Sequence, residues 1–108
     1  MKLLTAAIIK ALEKTPLYST EKQDTAPVLV KFFNPTGSGS WYVLEAEKQE
    51  DGDWLFFGLA DLHEKELGYF TLSELESVKL RFGLGIERDM YFDHMIVDKR
   101  SNEVRRAS

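Results

Sequence analysis

The sequence predicts an α+β domain: an antiparallel sheet of about five strands with two helices, in the order α-β-β-β-β-α-β. Three observations carry this. Apolar residues recur at three- and four-residue spacing only near the start and around residues 72–80. Four runs in between are rich in β-branched and aromatic residues. Turn formers, not crossover helices, separate those runs, which favours hairpins over βαβ units.

The first helix is read from "LLTAAIIKALEKT", where Leu4, Ala7, Ile8, Ala11 and Leu12 share a face and Lys10, Glu13 and Lys14 oppose it. Pro16 ends it, because the residue before a proline is pushed towards extended geometry. The charges at Lys10, Glu13 and Lys14 and the missing small-residue cleavage site argue against a signal peptide. "LYSTEKQDTA" is a polar connector, with Leu17 and Tyr18 as anchors back onto the core. "PVLVKFF" is the first strand. "NPTGSGS" is a loop of turn formers.

"WYVLEAE" alternates, with Tyr42, Leu44 and Ala46 on one side and Trp41, Val43, Glu45 and Glu47 on the other. "EDGD" signals a hairpin, since Gly52 tolerates positive φ. "WLFFGLADL" hardly alternates, the mark of a strand covered on both faces. "LGYF" is a short strand, and "TLSE" at Thr71–Glu74 is a capping box opening a helix that runs to about Leu80 with Leu72, Leu75 and Val78 inward. "IERDMYFDHMIV" supplies a last strand with a bend near Asp89. Residues 1–98 form the domain on this reading, and residues 99–108, without a core-forming period, are a disordered basic tail.

At 108 residues with 44% hydrophobic and 30% charged content, a core needs no staples. Cysteine is absent, which removes disulfides, thiolate metal sites and a cysteine nucleophile, and fits a cytoplasmic protein. No apolar run approaches the ~18 residues of a membrane span. A net charge of −4 argues against a protein built to grip phosphate backbones. The charge is uneven, with Glu45, Glu47, Glu50, Asp51, Asp53, Asp61, Glu64 and Glu66 facing only Lys48 and Lys65, and a basic end from Lys99 to Arg106.

Several chemistries lack their residues. "HEKEL" starts like a zinc-protease helix, but Leu67 stands where the second histidine is required. "GLGIER" puts Arg88 at the third position of a dinucleotide fingerprint and follows a helix, which reads as helix termination. "DGD" lacks the later ligands of a calcium loop. No catalytic residue, metal ligand or cofactor is therefore assigned.

Two features exceed what solubility requires. In Glu87-Arg88-Asp89 the extended backbone turns Arg88 away from its acidic neighbours, so it is expected to clasp a distant carboxylate: Glu64, Glu66 or Glu74. The aromatic load is expected to leave Trp41, Phe33 and Trp54 exposed beside the acidic hairpin unless the sheet is covered twice.

"VKFFNP", "WYVLEAE", "DWLFFG", "EKELGYFTLSELESV" and "GLGIERDMYF" follow, in order, the pattern of a small group of bacterial proteins, and the chain resembles domain-of-unknown-function family 2958 across about residues 17–92. The matching positions are Lys31, Trp41, Tyr42, Glu45, Glu66, Gly68, Tyr69, Phe70, Glu74, Glu87, Arg88 and Asp89; "NPTGSGSWY" departs from the family's shorter acidic loop. The resemblance implies an accessory protein of plasmids, phages or integrated elements and supplies no catalytic residue. The reading is a non-enzymatic module that binds a protein partner through Trp41, Tyr42, Glu45, Trp54, Glu66, Tyr69, Glu87, Arg88 and Asp89. Its rivals are a metal- or carboxylate-dependent hydrolase using Glu66, Glu87 and His63, with or without a divalent metal, and a nucleic-acid accessory whose tail touches phosphate while aromatics stack bases.

Overall fold

A computed structural model describes residues 2–107. Helix α1 spans Ala6–Glu13; strands β1 (Thr25–Pro27), β2 (Val30–Phe33), β3 (Ser40–Lys48), β4 (Trp54–Asp61) and β5 (Lys65–Thr71) follow. Helix α2 (Leu72–Glu76), a 3₁₀ turn at Arg81–Gly83, and strands β6 (Glu87–Arg88), β7 (Met95–Asp98) and β8 (Glu103–Arg106) complete the chain. The expected five-stranded antiparallel sheet is present, in the order β5-β4-β3-β2-β6, and both helices lie on one of its faces. A second sheet, β1-β7-β8, covers the other face.

That double cover explains the aromatic content. Val30, Phe32, Val43, Phe56, Trp54 and Phe70 form one core with Leu12 of α1 and Leu75 of α2. Tyr42, Leu44 and Leu59 form a second core against Ala26, Val28 and Val97. Trp54 is therefore buried and Trp41 packs against the first core, where exposure was expected.

The run read as one strand, "PVLVKFF", is split between the sheets. The Val28 N–H donates to the Met95 carbonyl at 2.9 Å, and the Leu29 N–H donates to the Val43 carbonyl at 2.8 Å. The chain changes sheet between those two residues. The last strand is divided likewise: Glu87 and Arg88 pair with Phe33 and Phe32, whereas β7 pairs with β1. The segment expected to be a disordered tail holds β8, paired through Val104 to Val97. Val104 packs on the second core, an apolar anchor too isolated to give a period in sequence.

In α1, Thr5 accepts the Ile8 N–H at 3.2 Å and caps the helix. Ile9, not Ala7, joins Ile8 and Leu12 at the core. Helix α2 is shorter than its apolar spacing implied and stops at the Ser77 cap, so Val78 packs from the following loop. Its capping box is present in altered form: Thr71 Oγ1 accepts the Glu74 N–H at 3.1 Å, but the Glu74 carboxylate takes the Thr71 hydroxyl, since the Thr71 backbone already lies in the ladder opposite Leu55.

Asp53, at the end of the hairpin, adds a second tie. Its carboxylate accepts the Ser73 hydroxyl at 2.6 Å, the Ser73 N–H at 3.0 Å and the Trp54 N–H at 2.8 Å. The Ser73 hydroxyl leads in pulling the Asp53 pKa below the ordinary value, with the two backbone donors adding to it against some desolvation. A depressed carboxylate contributes stability above its unfolded pKa and loses it as pH falls through the folded value. Asp53→Ala is expected to cost about 1 kcal/mol at neutral pH. Urea midpoints of the two proteins should converge as the pH is lowered through the depressed folded pKa of Asp53.

Candidate functional site

The site begins with an irregularity in β3. Val43 is opposite Gly58, but Glu45 is opposite Phe57, so Leu44 is an extra residue in the pairing. Strict alternation places Glu45 on the face of Val43; the bulge turns it to the other. Ala46 then falls in with Val43 in the first core, against the alternation read from sequence. One row of side chains results, Glu45–Phe57–Tyr69, running across β3, β4 and β5. The Phe57 and Tyr69 rings sit 5.2 Å apart at 55°.

The connector between α1 and β1 closes over the Glu45 end of this row. Glu45 is 3% exposed, and its carboxylate accepts the Tyr18 N–H at 2.7 Å, the Thr20 N–H at 2.9 Å and the Thr20 hydroxyl. A buried carboxylate needs such donors to offset lost hydration. The Thr20 hydroxyl accepts in turn from Lys99 Nζ at 3.0 Å, and the same ammonium donates to the Thr20 carbonyl. Lys99, Thr20 and Glu45 thus form one relay in which the two charges offset each other.

Pinning the backbone on both sides of Ser19 has a consequence for Tyr18. Its φ is +72°, the left-handed region that a residue with a Cβ adopts at a cost of roughly 1–2 kcal/mol. The ring does not anchor on the core as expected; it is 64% exposed. Together with Glu21, Glu45, Phe57, Tyr69 and Lys99 it lines a cavity of about 230 Å³. Tyr69, 53% exposed, holds its proton above the ordinary phenol value, first through hydrogen bonding with the Tyr18 side chain, then through desolvation and the nearby charges of Glu45 and Glu21. The Tyr69 phenol is therefore neutral at physiological pH.

Of the residues singled out in sequence, the cavity unites Glu45 and Tyr69. Glu66 stands exposed on the same strand as Tyr69 but on its other face, where it lines a separate depression with His63 and Glu64. Trp41, Tyr42 and Trp54 serve the two cores. Asp89 pairs with Lys31 at 3.4 Å, and the Lys31 ammonium lies 5.5 Å from the Tyr42 ring centroid. Among the described residues Arg88 makes no carboxylate clasp: its guanidinium donates to the Lys2 carbonyl and ties β6 to the segment before α1. Pairing with Phe32 on β2 is what sets that direction. Glu87 is on β6 and Glu66 on β5, opposite edges of the sheet, so the trio Glu66, Glu87 and His63 is not assembled. No cluster of three metal-ligating side chains occurs among the described residues. In the terminal basic segment, Arg100 pairs with Asp24 at 3.3 Å and Arg105 with Asp98 at 3.8 Å. No helix among the described residues is long and apolar enough to cross a membrane.

Sequence reasoning missed Tyr18, Glu21, Phe57 and Lys99 as members of one site. Tyr18 and Lys99 lie 27 residues before and 54 residues after Glu45, and no local spacing links them. The short polar connector, too small to bury a tyrosine of its own, was the available signal.

Fold and site together define a small α+β protein with an aromatic, acid-bearing cavity at the seam between two sheets. The chain belongs to the family described as protein of unknown function DUF2958, which matches residues 3–98. No curated protein and no solved structure matches it.

Proposed function

We propose that this protein is a non-enzymatic interaction module that receives a cationic side chain of a protein partner against the ring faces of Tyr18 and Tyr69. The observation that carries the reading is the buried Glu45 carboxylate, which holds a left-handed turn and so stands an exposed tyrosine across from a second one. Backbone strain of this kind persists where the surroundings over-determine it, and it concentrates at binding sites.

The chemistry of the lining selects the ligand. Aromatic faces attract cations, by about 0.5–1 kcal/mol at exposed sites and about 2 when water is excluded. Glu21 and Glu45 against Lys99 leave the cavity one negative charge in excess. An arginine or lysine therefore fits better than an acidic side chain, with its alkyl stem against Phe57. One such contact is weak, so the partner must add neighbouring surface around it. This suits the accessory role that the family resemblance implies.

The test is a titration with a Gly-Arg-Gly peptide amide, followed by NMR of the Tyr18 and Tyr69 rings, with Gly-Glu-Gly as the counterpart. The arginine peptide should shift both rings, the glutamate peptide neither, and Tyr69→Ala should weaken arginine binding on the order of tenfold. Equal response to both peptides, or none to either, contradicts the proposal.

A further inference from the structure

A second surface, remote in sequence from the tyrosine cavity, points to a different partner. After α2 the chain forms a loop closed by the Leu80 N–H to the Leu84 carbonyl at 2.8 Å and the Leu84 N–H to the Arg81 carbonyl at 3.2 Å. At its tip Phe82 has φ +61° and ψ +28°, left-handed, and its ring is 93% exposed. Exposing a whole phenyl group to water is unfavourable, and doing so from a strained backbone adds to the cost. Beside it lies a cavity of about 380 Å³ whose apolar lining includes Leu3, Leu75 and Ile86 and whose polar lining is Glu76 and Glu87.

The two features are complementary. Lys79 and Arg81 flank the ring in sequence, and the cavity carries two acids. Among the described residues none of these four side chains is in an ion pair. An aromatic tip with basic neighbours is what an acid-bearing hollow with leucine and isoleucine in its wall would take, and this chain carries both.

We propose that two copies of the chain associate about a two-fold axis, the Phe82 ring of each entering the other's Leu3–Leu75–Ile86 cavity while Arg81 meets Glu76 and Glu87. Gly83 and Leu84, which follow Phe82 directly, line the cavity itself, so knob and hole are neighbours. One two-fold operation then makes both exchanges at once and closes the assembly. This proposal is independent of the tyrosine site.

Sedimentation equilibrium of the full chain, from low micromolar to near-millimolar concentration, tests it. The expected result is a monomer–dimer equilibrium that Phe82→Ala weakens on the order of tenfold or more. The ring is outside the core, so that variant keeps the fold. Arg81→Glu should weaken the dimer likewise, and adding Glu76→Arg or Glu87→Arg in the same chain should restore it. A monomer at every concentration overturns the proposal, as does a dimer indifferent to Phe82→Ala. Failure of both swaps to restore association overturns the acidic cavity as the seat. Growth beyond a dimer overturns the two-fold closure.

Discussion

Glu45→Ala is expected to destabilise the protein by about 3 kcal/mol or more, from the loss of charge-assisted hydrogen bonds and the stranding of buried donors. The substitution leaves the Tyr18 N–H, the Thr20 N–H and the Thr20 hydroxyl without their acceptor. Two of these are backbone groups that cannot reorient while the turn persists. Lys99 also loses the negative partner it reaches through Thr20. Set against a typical stability of about 5–15 kcal/mol for a domain, this is a large share. Glu45→Gln should fall between: its carbonyl accepts one donor, while its amide N–H₂ faces another. Urea unfolding gives the magnitude. Hydrogen exchange gives the place, with the Tyr18 and Thr20 amides opening first while β3 and β4 stay protected.

Gly58→Ala is expected to cost about 4 kcal/mol or to prevent folding. A Cβ on Gly58 would stand 2.0 Å from the Tyr42 carbonyl oxygen, 2.9 Å from its carbon and 3.1 Å from Val43 Cα. All three are backbone atoms of the neighbouring strand, so no side-chain rotation relieves the clash. The crowding occurs where Leu44 is inserted, and the same close approach accompanies the rotation of Glu45 into the cavity. Gly68, directly opposite Gly58 on β5, is the control, because a Cβ there meets nothing within 4 Å. Gly68→Ala should change stability by no more than about 0.5 kcal/mol, the ordinary surface range. Thermal unfolding of the pair separates a steric role at Gly58 from a general dislike of side chains in this part of the sheet.

These two positions also mark where the sequence stops being readable. Local signals were reliable: the Pro16 stop, the Gly52 hairpin and the Thr71 cap all act over three or four residues. The five-stranded sheet with helices on one face follows from such signals summed along the chain. The second sheet does not. Its strands are three or four residues long and come from residues 25–27 and 95–106, so neither end shows a period alone. The Leu44 bulge leaves no mark in "WYVLEAE", whose alternation looks regular throughout. Alternation therefore puts Glu45 on the face of Val43, and the aromatic count leaves Trp54 exposed, because each correct assignment needs the bulge or the double cover. Arg88 was read as a clasp for a carboxylate, and the backbone carbonyl it meets, at Lys2, carries no sequence signature. Two of the residues picked out by motif do converge, Glu45 and Tyr69; their companions arrive through tertiary contacts alone.

The most direct measurement compares Tyr18→Gly with the unmodified protein for both stability and arginine-peptide affinity. Glycine keeps the N–H that Glu45 accepts and adopts the +72° backbone without a steric cost, so stability should hold or rise by a few tenths of a kcal/mol. Affinity for Gly-Arg-Gly should nevertheless drop on the order of tenfold, because one wall of the cation site is gone. Unchanged affinity in a fully folded Tyr18→Gly protein would contradict the account.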